Sequence, residues 1–98
     1  MKLIIGNDYS IYIPNAFTPN QDRVNDGFIA KGEGILEYEM FIFNRWGENI
    51  FTGQGLNTPW DGTYQNKQCQ QDVYVYKIKI KTIFGDVKEF SGVVTLLR

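Results

Sequence analysis

The stretch "DVYVYKIKIKTIFGDVKEFSGVVTLLR", residues 72–98, decides the fold class because its apolar residues recur at every second position. One face of its first half is aromatic or β-branched: Tyr74, Tyr76, Ile78 and Ile80. The alternate positions hold a valine and a row of lysines: Val75, Lys77, Lys79 and Lys81. Such alternation predicts a strand with one face in a core and the lysines in water. Gly85 and Asp86 interrupt the pattern before a second strand, so the stretch predicts a long antiparallel hairpin.

The register of this hairpin depends on the length of its turn. A two-residue turn at Gly85 and Asp86 would put Phe90 opposite Lys81 and bury apolar groups on the lysine face. A three-residue connection over residues 84–86 instead predicts these pairs: Phe90 with Ile80, Val94 with Tyr76, Leu96 with Tyr74, and Lys81 with Glu89. Because a slip of one residue moves every side chain to the other face, we predict the odd-length turn.

The rest of the chain shows the same two-residue period. "SIYIP" (10–14) predicts a short strand that Pro14 ends, and "EYEMFIFNRW" (37–46) predicts a longer one. The longer strand is apolar on both faces, which is typical of a central strand with something packed on each side. "ENIFT" (48–52) follows a hairpin in which Gly47 can take a positive φ. We therefore predict an all-β fold, an immunoglobulin-like antiparallel β-sandwich of about seven strands.

Composition limits the functions open to the chain. Ninety-eight residues allow one core, and we expect a single domain over residues 10–98, preceded by a linker or expression remnant over residues 1–9. A net charge of -1 provides no basic surface for nucleic acid, and no stretch is long and apolar enough for a transmembrane helix. The chain has no histidine, no glycine-rich phosphate loop between a strand and a helix, and one cysteine, Cys69. We therefore predict no enzyme activity, no cofactor and no intramolecular disulfide.

The loop "IPNAFTPNQDRVNDGF" (13–28) is rich in oxygen-bearing turn residues. Asn20, Asp22 and Asp26 stand at alternating positions, a spacing similar to that of calcium-binding loops. Asn and Asp side chains also hydrogen-bond to their own backbone, and the two prolines force extended geometry on the residues before them. We favour a self-bonded structural loop without a metal, and weak calcium binding at the three residues stays open.

The two tryptophans lie in different contexts. Trp46, in "NRWG" at a hairpin tip, is either an exposed anchor for a partner or a ring folded back over the sheet edge. In the second case Arg45 would pair with a carboxylate such as Glu48 or Asp61. We favour the second, since large aromatic residues in small domains mostly cover the core. We expect Trp60 to fill the sandwich while the Asp-Gly pair after it makes a turn.

Five motifs in order resemble the gliding-motility-associated C-terminal domain, the type B sorting domain of the type IX secretion system: "IPNAFTPNQDRVND", "FIFNRWGENIF", "WDGTYQNKQ", "DVYVYKIKI" and "GVVTLLR". The resemblance covers residues 13–98. It implies a non-catalytic β-sandwich that directs a large secreted protein across the outer membrane to the cell surface or medium. It also implies two kinds of partner, the cargo domains fused upstream and outer-membrane proteins of the secretion machinery. We expect the isolated domain to be monomeric.

The motifs supply two sets of candidate residues. The candidates for partner recognition are Asn20, Asp22, Asn25, Asp26, Asn44, Arg45, Trp46, Gly47, Leu96, Leu97 and Arg98. The candidates for a structural role are Pro14, Pro19, Trp60, Asp61, Gly62, Tyr74 and Tyr76. If the last strand lies at a sheet edge, a partner could take it up by β-augmentation. Deleting the last few residues would then stop export with little loss of fold.

The alternative function is an immunoglobulin-like adhesion or carbohydrate-binding module of a surface protein. It requires exposed rings clustered on one face, and the candidates are Tyr9, Tyr12, Tyr64 and Trp46. The lysine row is open to a similar choice, between a site for an acidic partner and a solvated face that protects a sheet edge. We favour the solvated face.

Overall fold

The computed structural model describes residues 2–5, 9–19 and 27–98, with the backbone alone for residues 2–5 and 9. Every regular element in these ranges is a strand: β1 (Lys2–Ile5), β2 (Tyr9–Tyr12), β3 (Ala16–Phe17), β4 (Lys31–Glu33), β5 (Ile35–Phe43), β6 (Asn49–Gln54), β7 (Thr63–Tyr64), β8 (Lys67–Gln68), β9 (Asp72–Thr82) and β10 (Val87–Leu96). The all-β prediction is confirmed, with ten strands instead of about seven. These ranges contain no helix able to cross a bilayer.

Two sheets enclose one core. The first has the strand order β1-β2-β4 and the second β3-β10-β9-β5-β6, while β7 and β8 form a small separate hairpin. Neighbouring strands are antiparallel except β3 and β10, which are parallel. A single hydrophobic cluster takes side chains from both sheets, among them Ile11 of β2, Met40 of β5 and Ile78 of β9. Burial of these apolar faces is the main force that holds the sandwich together.

β5 is the central strand that its sequence predicted, lying between β9 and β6. Its inner face, with Tyr38, Met40 and Ile42, is buried. Its outer face is less buried than its inner face. Val75 and Val93, which continue the row of Phe43 across the outer face, are 43% and 56% exposed. The expectation that something packs on both sides therefore fails within the described residues.

The β9–β10 hairpin has the predicted odd-length turn, but its predicted pairs are wrong by two residues. The observed pairs are Phe90 with Ile78, Val94 with Tyr74, Leu96 with Asp72, and Glu89 with Lys79. The turn closes one residue early, because the Thr82 N–H donates to the Asp86 carbonyl at 2.8 Å. The Thr82 hydroxyl also accepts the N–H groups of Phe84 and Asp86, at 3.2 and 3.3 Å. A shift of two keeps every side chain on its face, so the lysine row stays outside.

Residues 2–5 lie in the interval that the sequence analysis assigned to a linker or remnant. They form β1 and pair with β2, from Lys2 opposite Tyr12 to Ile5 opposite Tyr9. The strand is four residues long, which is too short for a two-residue period to be distinguished from chance. The pairing of residues 2–5 with β2 defines this strand, and the pattern of its own sequence does not.

Candidate functional site

Four loops meet at the end of the second sheet where β5 ends and β9 begins. We call them the turn cluster: residues 44–48, 60–63, 69–72 and 97–98. They converge because β5 and β10 both flank β9, with Phe43 opposite Val75 and Leu96 opposite Asp72. Each of these loops lies in or beside a motif that the sequence analysis singled out. The pairing of strands thus brings together segments that are far apart in the chain.

The turn over residues 44–48 is held by backbone bonds from Asn44 N–H to the Glu48 carbonyl and from Gly47 N–H to the Asn44 carbonyl, each at 3.0 Å, and by the Asn44 side chain. The Asn44 Oδ1 atom accepts the N–H groups of Trp46 and Glu48 at 2.9 and 3.0 Å. The Asn44 Nδ2 atom donates to the Glu48 carboxylate at 2.9 Å. Gly47 has a φ of 80°, a conformation that glycine adopts at little cost. Asn favours such local bonds, which explains why this sequence forms a fixed turn and not a flexible tip.

Trp46 projects from this turn with 82% of its surface exposed. The favoured prediction that its ring folds back over the sheet is therefore wrong. Arg45 pairs with Asp72, at 3.1 Å from Nε and 2.7 Å from Nη2, and with neither Glu48 nor Asp61. The register of β5 on β9 places Asp72 beside the hairpin, across 27 residues of sequence. The Arg45 guanidinium lies 6.0 Å from the centroid of the Trp46 ring, within cation–π range.

Asp72 connects the turn over residues 44–48 to the loop over residues 69–72. Its Oδ1 atom accepts the N–H of Val73 at 2.8 Å, and its Oδ2 atom accepts the Gln70 amide at 3.3 Å as well as Arg45. The Val73 N–H is the largest cause that lowers the pKa of Asp72 below its ordinary value of 3.8, and Gln70 and Arg45 lower it further. All three favour the ionised carboxylate.

Replacing Asp72 with asparagine should make stability less sensitive to acid. The pKa of Asp72 is depressed in the folded state, so its stabilising effect is complete above the ordinary 3.8 and is lost as the pH falls through the folded value. We expect the difference in unfolding free energy between wild type and Asp72→Asn to be largest near pH 6 and to shrink towards about pH 2. Urea unfolding across this range measures it. If the difference in unfolding free energy did not change with pH, the charge of the Asp72 carboxylate would not contribute to stability.

Trp60 fills the core below the turn cluster. It is fully buried, packs against Phe17 and Tyr74 with ring centroids 5.3 and 5.1 Å away, and donates from Nε1 to the Thr63 carbonyl at 3.0 Å. The Asp61 carboxylate accepts the N–H and hydroxyl of Thr63 at 3.1 and 2.6 Å. These bonds turn the chain directly after Trp60 and satisfy the indole N–H inside the core.

The chain end is bonded to two of these loops. The Arg98 Nε atom donates to the Cys69 carbonyl at 2.8 Å, and its Nη2 atom donates to the Gly62 carbonyl at 3.0 Å. The Arg98 N–H donates to the Gln71 side chain at 3.0 Å. Gly62 has a φ of 84°, and a Cβ there would lie 3.1 Å from both Leu96 and Pro19. The last residues are therefore part of the folded domain.

The last strand is not free along its final residues. The Thr95 N–H donates to the Asn15 carbonyl and the Leu97 N–H to the Phe17 carbonyl, each at 2.9 Å. Leu96 is fully buried, so we remove it from the side chains that a partner of the folded domain can contact. The expectation that the chain end could be taken up by β-augmentation required it to lie at a free sheet edge, and this condition is not met at residues 95–97, because β3 covers them. Leu97 and Arg98 remain exposed.

The other candidate residues are dispersed. Asn20, Asp22, Asn25 and Asp26, with the calcium alternative, lie outside the described residues. Within the described ranges no three acidic or cysteine side chains form a group that could hold a metal.

The remaining structural candidates lie in or beside the core. Tyr74 is buried and donates to the Gln70 carbonyl at 2.7 Å, and burial raises its pKa. Pro14, Tyr76 and Cys69 are half-buried, and burial raises the pKa of the Cys69 thiol.

A sugar platform is not formed by the described aromatic residues. Their ring contacts are all within the core: Phe17 with Phe28, Phe17 with Trp60, Phe28 with Tyr76, and Trp60 with Tyr74. Tyr64 donates to the Glu48 carboxylate at 3.3 Å and Tyr12 lies in the first sheet, while the Tyr9 side chain lies outside the description. Among the described residues, none of the ring–ring contacts therefore involves Tyr12, Tyr64 or Trp46.

A groove of about 520 Å³ lies at the opposite end of the second sheet. Its charged lining consists of two glutamates and two lysines on neighbouring strands, Glu37, Glu39, Lys79 and Lys81. Lys81 and Glu37 approach to 4.0 Å, and β5 pairs Glu39 with Lys79. Each acid thus faces a lysine across the strands, an arrangement typical of a solvated sheet surface.

The residues that join the loops could not be identified from the sequence. Asp72, Gln71 and the Cys69 carbonyl gave no local signal, because their partners lie 27 to 29 positions away. The correct hairpin register would have placed Asp72 at the chain end, opposite Leu96.

A family model described as the CHU_C type IX secretion signal domain matches residues 11–96. The matched interval includes three of the four loops of the turn cluster, namely residues 44–48, 60–63 and 69–72. No curated protein and no solved structure matches the chain.

Proposed function

Because the chain belongs to the CHU_C type IX secretion signal domain family, we propose that its turn cluster is the surface that the outer-membrane secretion machinery recognises. The domain is a sorting signal that directs the protein to which it is attached across the outer membrane, to the cell surface or medium. We propose that the turn cluster gives this signal its specificity. The partners are then outer-membrane proteins of the secretion route on one side and fused cargo on the other.

The observation that carries the proposal is the exposure of Trp46 on a fixed turn. A tryptophan that leaves 82% of its surface in water offers a partner a large apolar area. Tryptophan is also one of the residue types enriched among the few that dominate binding energy. Because Asn44 already holds the turn, little conformational entropy is lost when a partner binds it.

Arg45 adds direction to this anchor. Its Nε and one Nη atom are used on Asp72, which orients the guanidinium beside the tryptophan ring. An arginine has five N–H donors, so donors remain for a carboxylate or carbonyl of the partner. Leu97 and Arg98 extend the same cluster with one apolar and one charged side chain.

We propose that sorting involves no catalysis. The chain has no histidine to serve as a general base for Ser10, Ser91 or Cys69. Burial raises the pKa of Cys69, which opposes formation of a reactive thiolate. The groove between β5 and β9 carries acids that face lysines across the strands. These features support recognition as the mode of action.

Replacing Trp46 with alanine tests the recognition surface. In a secreted reporter that carries residues 1–98, we expect Trp46→Ala to lower secretion about tenfold or more, in line with the loss of a binding hot spot. The melting temperature should stay unchanged, because the ring makes few contacts with the core. Secretion is measured as reporter in the medium and on the cell surface.

The matched control is Phe84→Ala. Phe84 is also an exposed aromatic residue at a hairpin tip, 58% exposed, but it lies at the other end of β9. We expect its loss to leave secretion unchanged. Equal secretion of Trp46→Ala and wild type, or an equal fall in both variants, would refute the turn cluster as the recognised surface.

A further inference from the structure

Among residues 2–5, 9–19 and 27–98, no strand pairs with most of the outer edge of β10, which is the edge of the second sheet. β3 pairs with β10 only at Thr95 and Leu96. On that side the Thr95 N–H donates to the Asn15 carbonyl. Backbone groups of alternate residues in a strand point to opposite sides, so the odd-numbered residues of β10 point away from β9. The bond from the Thr82 N–H to the Asp86 carbonyl supports this assignment, because it shows that the backbone groups of the even-numbered residues point towards β9.

The open groups are the N–H and carbonyl of Val87, Glu89, Ser91 and Val93. Within the described ranges, no backbone or side-chain group is bonded to them. β6 forms the opposite edge of this sheet, and there a backbone group is already bonded: the Thr58 hydroxyl donates to the Gln54 carbonyl at 2.8 Å. A row of free donors and acceptors on a strand of this length is a template for another extended segment.

The outer side chains of this edge continue two rows that cross the sheet. One row is apolar and consists of Phe43, Val75 and Val93. The other alternates in charge and consists of Glu39, Lys79 and Glu89. Opposite charges and apolar pairs stabilise neighbouring strands, so the next strand would best place an apolar side chain beside Val93 and a basic one beside Glu89.

We propose that residues 87–93 accept an extended strand of a partner protein by β-augmentation. On one face this strand carries an apolar residue and, four positions away, a lysine or arginine. The inference rests on the proposed function, since the partner would be a protein of the secretion route. The same strand of a second copy, β10, does not supply the complement. The one basic residue of β10, Lys88, lies on the opposite face from Glu89.

A synthetic peptide tests the chemistry of the edge. The probe is a nine-residue extended peptide with a valine and a lysine four positions apart on one face, titrated into residues 1–98. A second peptide of the same sequence is N-methylated at alternate residues and cannot complete the backbone bonds. We expect binding of the first peptide only. The variant Glu89→Lys should weaken it about tenfold, and a peptide with glutamate in place of lysine should restore binding to this variant. No binding of the first peptide, or equal binding of both, would overturn the proposal.

The same edge is tested in the secreted reporter. Ser91→Pro removes an outward N–H and no internal bond, a position at which an edge strand tolerates proline. Ser91→Thr keeps the N–H and is the matched control. We expect Ser91→Pro to lower secretion about tenfold and Ser91→Thr to secrete normally. If Ser91→Pro melts early, Glu89→Lys replaces it, because Glu89 is exposed and makes no described ion pair.

The outcomes separate the inference from the function on which it rests. Normal secretion of both Ser91→Pro and Glu89→Lys would overturn the role of the edge and leave the sorting function intact. Failure of the unaltered reporter to be secreted would refute sufficiency of the sorting domain instead.

Discussion

Replacing Trp60 with alanine should lower the free energy of unfolding by about 3–5 kcal/mol, the range for large buried aromatic residues. Trp60 is fully buried between Phe17 and Tyr74, and its indole N–H is bonded to the Thr63 carbonyl. The variant loses the transfer free energy of the ring and leaves a cavity that the surrounding strands cannot close. Since small domains are stable by only about 5–15 kcal/mol, a large share of Trp60→Ala molecules should be unfolded on warming.

Trp46→Ala is the control, because it makes the same tryptophan-to-alanine change at an exposed position. The same substitution at a side chain that is 82% exposed should change stability by about 0.5 kcal/mol or less. Urea unfolding followed by circular dichroism compares the two, because tryptophan fluorescence is altered in both. Similar losses at the two positions would contradict the assignment of Trp60 to the core and Trp46 to the surface.

Removing residues 95–98 should unfold the domain. The deletion takes away the pairing of β10 with β3 and the fully buried Leu96, whose loss alone is of the order of 2–5 kcal/mol. It also removes Arg98, which bonds the carbonyls of Gly62 and Cys69. We expect the truncated chain to lose its cooperative thermal transition, and loss of export would then follow from loss of the fold.

Removing only residues 97 and 98 is the matched control. This shorter deletion keeps Leu96 in the core and loses three bonds of Arg98 and one of the Leu97 N–H, at a cost of about 2–4 kcal/mol. The domain should stay folded with a lower melting temperature. If the longer deletion melted at the same temperature as wild type, the chain end would be a detachable tail after all.

The regular part of the fold could be predicted from sequence because two long strands have recognisable patterns. β9 alternates tyrosine and isoleucine with lysine, and β5 is apolar on both faces. The remaining strands could not be predicted in this way. β3, β7 and β8 have two residues each, and so short a strand is defined by its neighbour and not by its own pattern. The hairpin register failed for a local reason, the Thr82 hydroxyl that closes the turn early.

The candidate site was predicted in its parts but not in its assembly. The motif order indicated the family, and "NRWG" pointed to Trp46 and Arg45. The choice between an exposed and a folded-back ring could not be made, because it depends on Asn44 closing the turn and on Trp60 already filling the core. The partner of Arg45 is Asp72, whose proximity follows from the pairing of β5 with β9.

The most direct measurement of the central claim is the secretion of a fluorescent reporter with a signal peptide at its N-terminus and residues 1–98 at its C-terminus. It is compared between a bacterium with an intact type IX secretion system and an otherwise identical strain without it. We expect the reporter at the cell surface or in the medium of the first strain only. A folded reporter that stays in the periplasm of both strains would contradict the claim that this domain is a sufficient secretion signal.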